Sequence, residues 1–375
     1  MRPKVFINLA TDKIGGPGKG VLQFLRFGGL DVCDPVIVNF KVNNNKGQFC
    51  SVLENKNILY QNLNQRMTYD PFLIPQALKI VNKYKLNILE SHGYKSHLVC
   101  MSIKRMTGIP WIAFFHGWTS LNFKIKCYNI LENVLLGCAD RIVPVSQGMI
   151  KKLNLRLIDK QKIRTIYNAV DPSELSADAD DENIREKYGI KVDDQLAAVV
   201  GRFSPEKGHI YLVNALPKIH HKFPNLKVMF IGEGNEEESL KKIINEMGLN
   251  QNIIFTGYQE DLGAFYKEID LLILPSLSEG MPNVALEAML YSKPVVATRV
   301  GGVPEVVMDG VTGKVVDPYN SEQLANAVTG LLENSDDLLA FGMAGRQRVI
   351  DHFCPVQRVK NIAALYEDVL SMKNT

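Results

Sequence analysis

PSLSEGMPNVALEAMLY, residues 275–291, follows the apolar run Leu271-Leu272-Ile273-Leu274. Four consecutive apolar residues bounded by turn formers read as a parallel strand buried on both faces. Pro275, Gly280 and Pro282 stop that strand and build a loop, and Asn283 stands as the N-cap of a helix over VALEAML. A strand, a loop and a helix start together offer unpaired N–H groups and the positive end of a helix dipole, which suits a phosphate. Two carboxylates bracket this anion site, Glu279 in the loop and Glu287 one turn into the helix. Carboxylates beside a phosphate make chemical sense as acceptors of hydroxyl hydrogen bonds. A nucleotide sugar supplies hydroxyls on both sides of a diphosphate, so Glu287 is expected at a ribose and Glu279 at the sugar.

The second half of the chain repeats this construction. Leu196–Val200 reads as a buried strand that releases the loop GRFSPEKG, residues 201–208. Arg202 suits bidentate grip of a diphosphate and Lys207 adds a mobile point charge. The strand Leu226–Ile231 ends at Gly232-Glu233-Gly234, and Ile253–Thr256 ends at Gly257-Tyr258. Pro294–Thr298 runs into Gly301-Gly302-Val303-Pro304-Glu305. A parallel sheet gathers such strand ends along one edge, where ligands bind in open α/β sheets. Helix then continues from Ser321 to the end, broken at His352–Pro355.

The first half is also α/β. Lys4–Ala10 is a strand running into IGGPGKG, residues 14–20, and a helical VLQFLRF; the glycine loop matches neither a dinucleotide nor a Walker spacing. NNNKG, residues 43–47, is an exposed turn. Pro75–Tyr84 and Lys95–Thr107 are helices, Ile88–Ser91 and Trp111–Phe115 strands, and the last strand ends at His116-Gly117-Trp118. Leu121–Cys138 has helical apolar spacing with Lys124 and Lys126 near its start, and Arg141–Val145 is a strand with Ser146 as the cap of a following helix. DPSELSADADDEN, residues 171–183, turns abruptly acidic and small, which sets a boundary between a domain of residues 1–170 and one beginning at 171. Its Asp178 and Asp180 read as solvated, and His220-His221 as the end of an exposed helix, so no metal cluster is expected.

Composition bounds the function. The chain has 375 residues, 46% hydrophobic and 22% charged, the make-up of an ordinary globular protein with room for two domains. Its formal net charge of +3 conceals an asymmetry: residues 1–170 hold 24 Lys and Arg against 9 Asp and Glu. A basic first half suits an anionic membrane face or a phosphate-bearing lipid acceptor. Nucleic acid is not expected, since no zinc spacing, RNP motif or basic dimerising helix is present. The cysteines at 33, 50, 100, 127, 138 and 354 lack CxxC spacing, the pattern of reduced thiols in a cytoplasmic protein. No signal peptide and no apolar run long enough to span a bilayer are read.

Taken in order, GGPGKG, the HGW turn at 116–118, IYNAVD at 166–171, GRFSPEKG, IGEG at 231–234, FTGY at 255–258, PSLSEGMPNVALEAM and VGGVPEVV at 300–307 resemble the retaining glycosyltransferases of family GT4. Ala169 departs from the glycine more usual after Asn168. The resemblance implies the GT-B architecture, two Rossmann-like doubly wound parallel-sheet domains facing across a cleft, with the donor domain at 171–354 and the final helix, about 355–375, packed back on the first domain. It implies that Arg202, Lys207, Gly16 and the backbone of Asn283 and Val284 hold the donor diphosphate. Glu279, Gly280, Met281 and Pro282 would hold the donor sugar, and Tyr258 and Glu287 the nucleoside. His116 and Glu279 would be the catalytic residues. Gly15, Lys19, His92, Lys95 and Trp118 would lie on the acceptor side. A nucleotide-sugar donor is implied as co-substrate, with no cofactor and no metal. An epimerase or hydrolase of the same fold, or a nucleotide-sugar-binding subunit without turnover, stays open as an alternative.

Overall fold

The computed structural model describes residues 2–11, 15–42, 47–67, 70–117, 123–175 and 183–372. The turn at 43–47 therefore falls almost wholly outside the described residues, as do Trp118, Asp178 and Asp180. The chain divides into two compact units: residues up to Gly117, the stretch to Ala169 and Pro355 onward form one, and Val170–Cys354 form the other.

The first unit carries a six-stranded sheet of β1 (Lys4–Leu9), β2 (Asp34–Val42), β3 (Tyr60–Gln65), β4 (Ile88–His92), β5 (Trp111–Phe115) and β6 (Arg141–Pro144), in the order β3-β2-β1-β4-β5-β6. Every pairing is parallel. The second unit carries β7 (Leu196–Val200), β8 (Lys227–Ile231), β9 (Ile253–Gly257), β10 (Leu271–Leu274), β11 (Val295–Thr298) and β12 (Gly313–Val316), ordered β12-β11-β10-β7-β8-β9 and again parallel throughout. Read from its other edge, the second order repeats the first. Both are the doubly wound Rossmann arrangement, in which strand order reverses between the first and fourth strands and leaves a crevice at their carboxyl ends. Those crevices lie at β1/β4 and β7/β10.

The central strands are continuous apolar runs because helices cover both their faces. β7 (LAAVV) and β10 (LLIL) are buried at every position. The edge strand β3, YQNLNQ, has Leu63 as its one apolar residue at full burial. The sequence reading assigns no strand to 34–42, 60–65 or 313–316, the outer half of one sheet and the far edge of the other.

The helix Pro355–Ser371 belongs to the first unit, where Val359, Ile362, Leu365, Tyr366 and Val369 share a core with Ile7, Ile37, Ile88, Ile112 and Phe114. Spacings of three, four and seven place these residues on one stripe. Arg141 on β6 holds Asp368 of this helix through two bonds of 2.6 and 3.0 Å.

Several local readings need correction. The helix expected after β6 is only a 3₁₀ turn, Gly148–Lys152, with Gln147 and not Ser146 at its cap; Ser146 is buried. The helical C-terminal region is three helices, Ser321–Leu332, Ser335–His352 and Pro355–Ser371, because Asn334 caps the second with bonds to Asp336 and Asp337 N–H. His220 does not end an exposed helix: it is buried, with its two ring nitrogens at 3.1 and 3.0 Å from the carbonyls of Leu216 and Leu226. That pairing ties the end of helix His209–Lys222 to the entry of β8.

Candidate active site

At the β7/β10 crevice the chain builds a dense loop pair. After β7 it passes Gly201 and Arg202, makes a 3₁₀ turn at Pro205–Lys207, and reaches Gly208 at φ +65. A Cβ on Gly208 would lie 2.2 Å from the carbonyl oxygen of Pro275, so only glycine lets the two loops touch. The contact is reinforced by the buried Glu206, whose carbonyl accepts from Leu277 N–H at 2.8 Å and Ser278 N–H at 3.3 Å. On the other side, Gly302 N–H donates to Gly280 O at 3.1 Å.

Three short bonds then fix the charged groups. Lys207 Nζ lies 2.7 Å from Glu279 Oε1, and Ser276 Oγ donates to the same oxygen at 2.6 Å. The Ser276 carbonyl in turn accepts from the Thr298 hydroxyl of β11. Glu279 is nearly buried, whereas Lys207 keeps about a quarter of its side chain exposed. Arg202 Nη2 donates to Glu206 Oε1 at 2.9 Å while most of its side chain faces solvent. Both cations are thus held by carboxylates beneath them, with their outer faces available. A preorganised geometry of this kind needs no rearrangement before an anion arrives, which favours electrostatic binding.

The helix start beside them is Asn283–Leu290, and its N-cap is Pro282, not Asn283. Proline fixes φ near −65° and has no N–H to lose, and here its ψ of 99° keeps it extended while its carbonyl accepts from Ala285 and Leu286. Its N-cap residue makes no side-chain cap bond and its first turn holds no acidic residue, which suits its positive end to an anion. Glu287 accepts from the buried Tyr266 hydroxyl at 3.1 Å. Burial first, then the Glu287 carboxylate, pushes the Tyr266 phenol well above its ordinary value, so it stays a donor. Tyr258 is half-exposed just past the end of β9, two strands from β7, a lateral offset of roughly 10 Å at about 4.8 Å per strand.

The structure therefore brings Arg202, Lys207, Glu279, Gly280, Met281, Pro282, Asn283, Val284 and Glu287 to one crevice, and leaves Tyr258 at the edge of the same sheet end. Glu206, Ser276 and Tyr266, which hold these groups, were not among the expected site residues. Glu206 and Ser276 lie inside the two loop motifs, so their position was visible and only their burial was not.

The first unit assembles a second polar group at the ends of β4 and β5. Strand alternation puts Ile88, Glu90 and His92 on one face, and Ile112, Phe114 and His116 on the same face next door. His92 Nδ1 lies 2.9 Å from His116 Nε2, and His92 Nε2 lies 3.0 Å from Glu90 Oε1. Glu90 Oε2 accepts from the Tyr366 hydroxyl at 2.7 Å. Burial first, then His92, Arg358 and His97, hold His116 well below the ordinary histidine range, so it is neutral near pH 7. Gly15 precedes helix Gly16–Phe24, and a Cβ on Gly15 or Gly16 would meet nothing within 4 Å, an open helix start at the end of β1. Lys19 is exposed in that helix's second turn. Lys95 lies apart from the histidines in its contacts, with Nζ 3.5 Å from Gln65 Oε1. Among the described residues no group of three or more His, Cys, Asp or Glu is arranged to hold a metal ion, and no helix is long and apolar enough to cross a membrane.

Two doubly wound parallel sheets, each with its own switch-point crevice, define an α/β protein of two Rossmann-like units. Comparison with known proteins sharpens this. Residues 180–348 match the model for glycosyl transferases group 1, and residues 45–174 match that for Glycosyltransferase Family 4. The chain belongs to this glycosyltransferase family. It is 25% identical over 307 residues to the N-acetyl-alpha-D-glucosaminyl L-malate synthase of Bacillus anthracis, covering 80% of each chain. It is 26% identical over 310 residues to the Escherichia coli UDP-Gal:alpha-D-GlcNAc-diphosphoundecaprenol alpha-1,3-galactosyltransferase, covering 79% of each. The crystal structure of Anabaena HepE in complex with UDP and glucose superposes with a TM-score of 0.86 at 20% identity, over 98% of this chain and all of that one. The fold is that of the GT-B glycosyltransferases.

Proposed function

We propose that this glycosyltransferase moves a sugar from a nucleoside diphosphate sugar to a hydroxyl of a glycan or lipid-linked acceptor, with retention of configuration and without a metal ion. The observation that carries the donor assignment is the Lys207–Glu279 pair beside the start of helix Asn283–Leu290 at the β7/β10 crevice. Lys207, Arg202 and the helix start take the diphosphate. Once a phosphate shares the Lys207 charge, Glu279 accepts hydroxyl bonds from the donor sugar along the Gly280–Pro282 backbone. Glu287, oriented by Tyr266, accepts from the ribose, and Tyr258 lies against the base.

In the reaction the bond from the anomeric carbon to the phosphate oxygen breaks, and its electron pair leaves with the nucleoside diphosphate. The ring carbon becomes oxocarbenium-like while negative charge grows on the leaving phosphate. Arg202, Lys207 and the helix dipole stabilise that charge, the dominant lever in such a site. The acceptor oxygen then bonds to the anomeric carbon from the face the phosphate vacated, and its proton passes to the departing phosphate oxygen. No nucleophilic carboxylate is needed, unlike the two-carboxylate glycosidases. His116, on the first unit, accepts from a sugar hydroxyl.

A lipid-linked acceptor, met at the cytoplasmic membrane face, is favoured by the first unit. Besides the basic charge of that half, it has an apolar cavity of about 260 Å³ lined by Leu73, Ile74, Leu98, Val99, Leu131 and Leu135, with Lys95 in its wall. Met67, Phe72 and Ile130 are exposed on neighbouring segments. The activity is tested by acceptor-dependent release of nucleoside diphosphate, with the anomeric proton of the product read by NMR. Release that needs the acceptor, with the donor's anomeric configuration kept, is the expected result. Release without acceptor would favour hydrolysis or epimerisation, an inverted anomer would remove retention, and no release would favour a binding subunit.

A further inference from the structure

The final helix, which returns to the first unit after the whole of the second, places two polar side chains on its otherwise apolar stripe. Tyr366 shares a core with Ile362 and residues of β1 and β4, and Arg358 lies eight residues before it, about two helical turns. Both are buried. Arg358 Nη1 donates to Gly20 O at 2.7 Å, in the helix that follows β1. Tyr366 donates to Glu90, and burial with the Glu90 carboxylate keeps its phenol well above the ordinary value. A buried hydroxyl that does not ionise is a fixed donor.

This fixed donor determines the hydrogens along the rest of the chain. Glu90 Oε2 is taken by Tyr366, so Oε1 remains for His92 Nε2. A carboxylate only accepts, so His92 carries its proton on Nε2. With a single proton, held on Nε2 by Glu90, His92 has a bare lone pair on Nδ1, and the bond to His116 then requires the proton to sit on His116 Nε2. Neutral His116 is left with a bare lone pair on Nδ1. Among the described residues Nδ1 makes no hydrogen bond, and the ring is only partly buried. A site of this kind accepts from a hydroxyl and rejects a phosphate oxygen, which also only accepts.

We infer that Glu90, seated by Tyr366 of the final helix, is a positioning residue that sets the tautomers of His92 and His116 so that His116 presents Nδ1 as an acceptor for a sugar hydroxyl. The hydroxyl assignment rests on the glycosyltransferase reading above; the tautomers rest on a singly protonated His92. Stacking supports the same arrangement, with His92 lying 4.7 Å from the Phe114 ring and 5.2 Å from the His116 ring at interplanar angles of 23° and 27°. The groups around the histidines are Arg358 from the final helix and His97 from helix Tyr94–Thr107.

Nitrogen-15 NMR of the histidine rings, assigned with His92→Gln and His116→Gln, tests this in the intact protein near pH 7.5. Both rings are expected as neutral Nε2–H tautomers. In Glu90→Gln the amide can donate or accept, so mixed tautomers are expected for both rings, with kcat for transfer falling on the order of tenfold and donor KM little changed. Tyr366→Phe is expected to give a smaller change of the same kind, and Glu90→Asp a partial recovery. An Nδ1–H tautomer at His116 in the unmodified protein, or a Glu90→Gln protein with unchanged tautomers and unchanged kcat, would overturn the inference. Full transfer by His116→Ala with the expected tautomers present would instead defeat the catalytic reading of His116 and leave the relay standing.

Discussion

Lys207→Ala lowers transfer by on the order of 10²–10³-fold, the usual cost of removing one preorganised group from a developing negative charge. The effect falls on kcat/KM above all, because the leaving diphosphate carries more charge in the transition state than in the bound donor. Stability changes less. Glu279 loses its ion pair but keeps the Ser276 hydroxyl at 2.6 Å, and its nearly buried carboxylate then costs about 1–3 kcal/mol. The variant therefore stays folded, which separates it from a structural defect. Steady-state kinetics alongside thermal unfolding reads both terms. Wild-type transfer by Lys207→Ala would remove the diphosphate assignment.

Gly301→Ala is expected to unfold the donor crevice. Gly301 sits at φ +49, where an L-side chain costs about 1–2 kcal/mol. More seriously, its Cβ would lie 1.8 Å from the carbonyl oxygen of Glu279 and 2.8 Å from its carbonyl carbon. Backbone cannot swing aside as a side chain can, so the 276–281 loop has to move and drag Glu279 from Lys207. A loss of about 3–5 kcal/mol is expected, among the larger effects of single substitutions. For a unit of this size that lowers its thermal midpoint by roughly 10 °C. Gly16→Ala is the control: a Cβ there meets nothing within 4 Å, and its stability should be unchanged. A Gly301→Ala protein as stable as Gly16→Ala would contradict this account of how the loops are locked together.

These two positions show what was legible in the sequence. Apolar runs such as LLIL and LAAVV gave the central strands, because a strand buried on both faces leaves no polar interruption. Glycine and proline at their ends marked the loops, and the order of motifs carried the fold through its resemblance to a family. The polar edge strand YQNLNQ left no such trace, since an edge strand needs only one buried side chain per turn of the pleat. The short strand GKVV starts on a glycine and was equally silent. VIVNF in β2 was an ordinary apolar run with no motif on it.

At the site, the charged residues were visible and their partners were not. Arg202, Lys207 and Glu279 stand out as loop charges, but nothing in their spacing says that Lys207 and Glu279, 72 residues apart, share a bond. Asn283 looked like a cap because of its residue type, yet the proline before it already held the extended conformation. Glu90 and Tyr366 are 276 residues apart, and their contact follows from the return of the last helix to the first sheet. A hint was present: an Arg and a Tyr on an apolar stripe at a spacing of eight have to find partners once buried. Identifying the partner required the sheet.

The central claim is that residues 201–208 and 275–287 bind a nucleoside diphosphate sugar, and binding tests it without any knowledge of the acceptor. Thermal unfolding is followed with UDP, GDP, ADP and their common sugar conjugates, in the unmodified protein and in Lys207→Ala and Glu287→Ala. One nucleotide series should raise the transition, by about 2.7 kcal/mol in stability at a hundredfold excess over Kd, and both substitutions should reduce the shift. No shift with any series, or a shift equally large in both variants, would contradict the account.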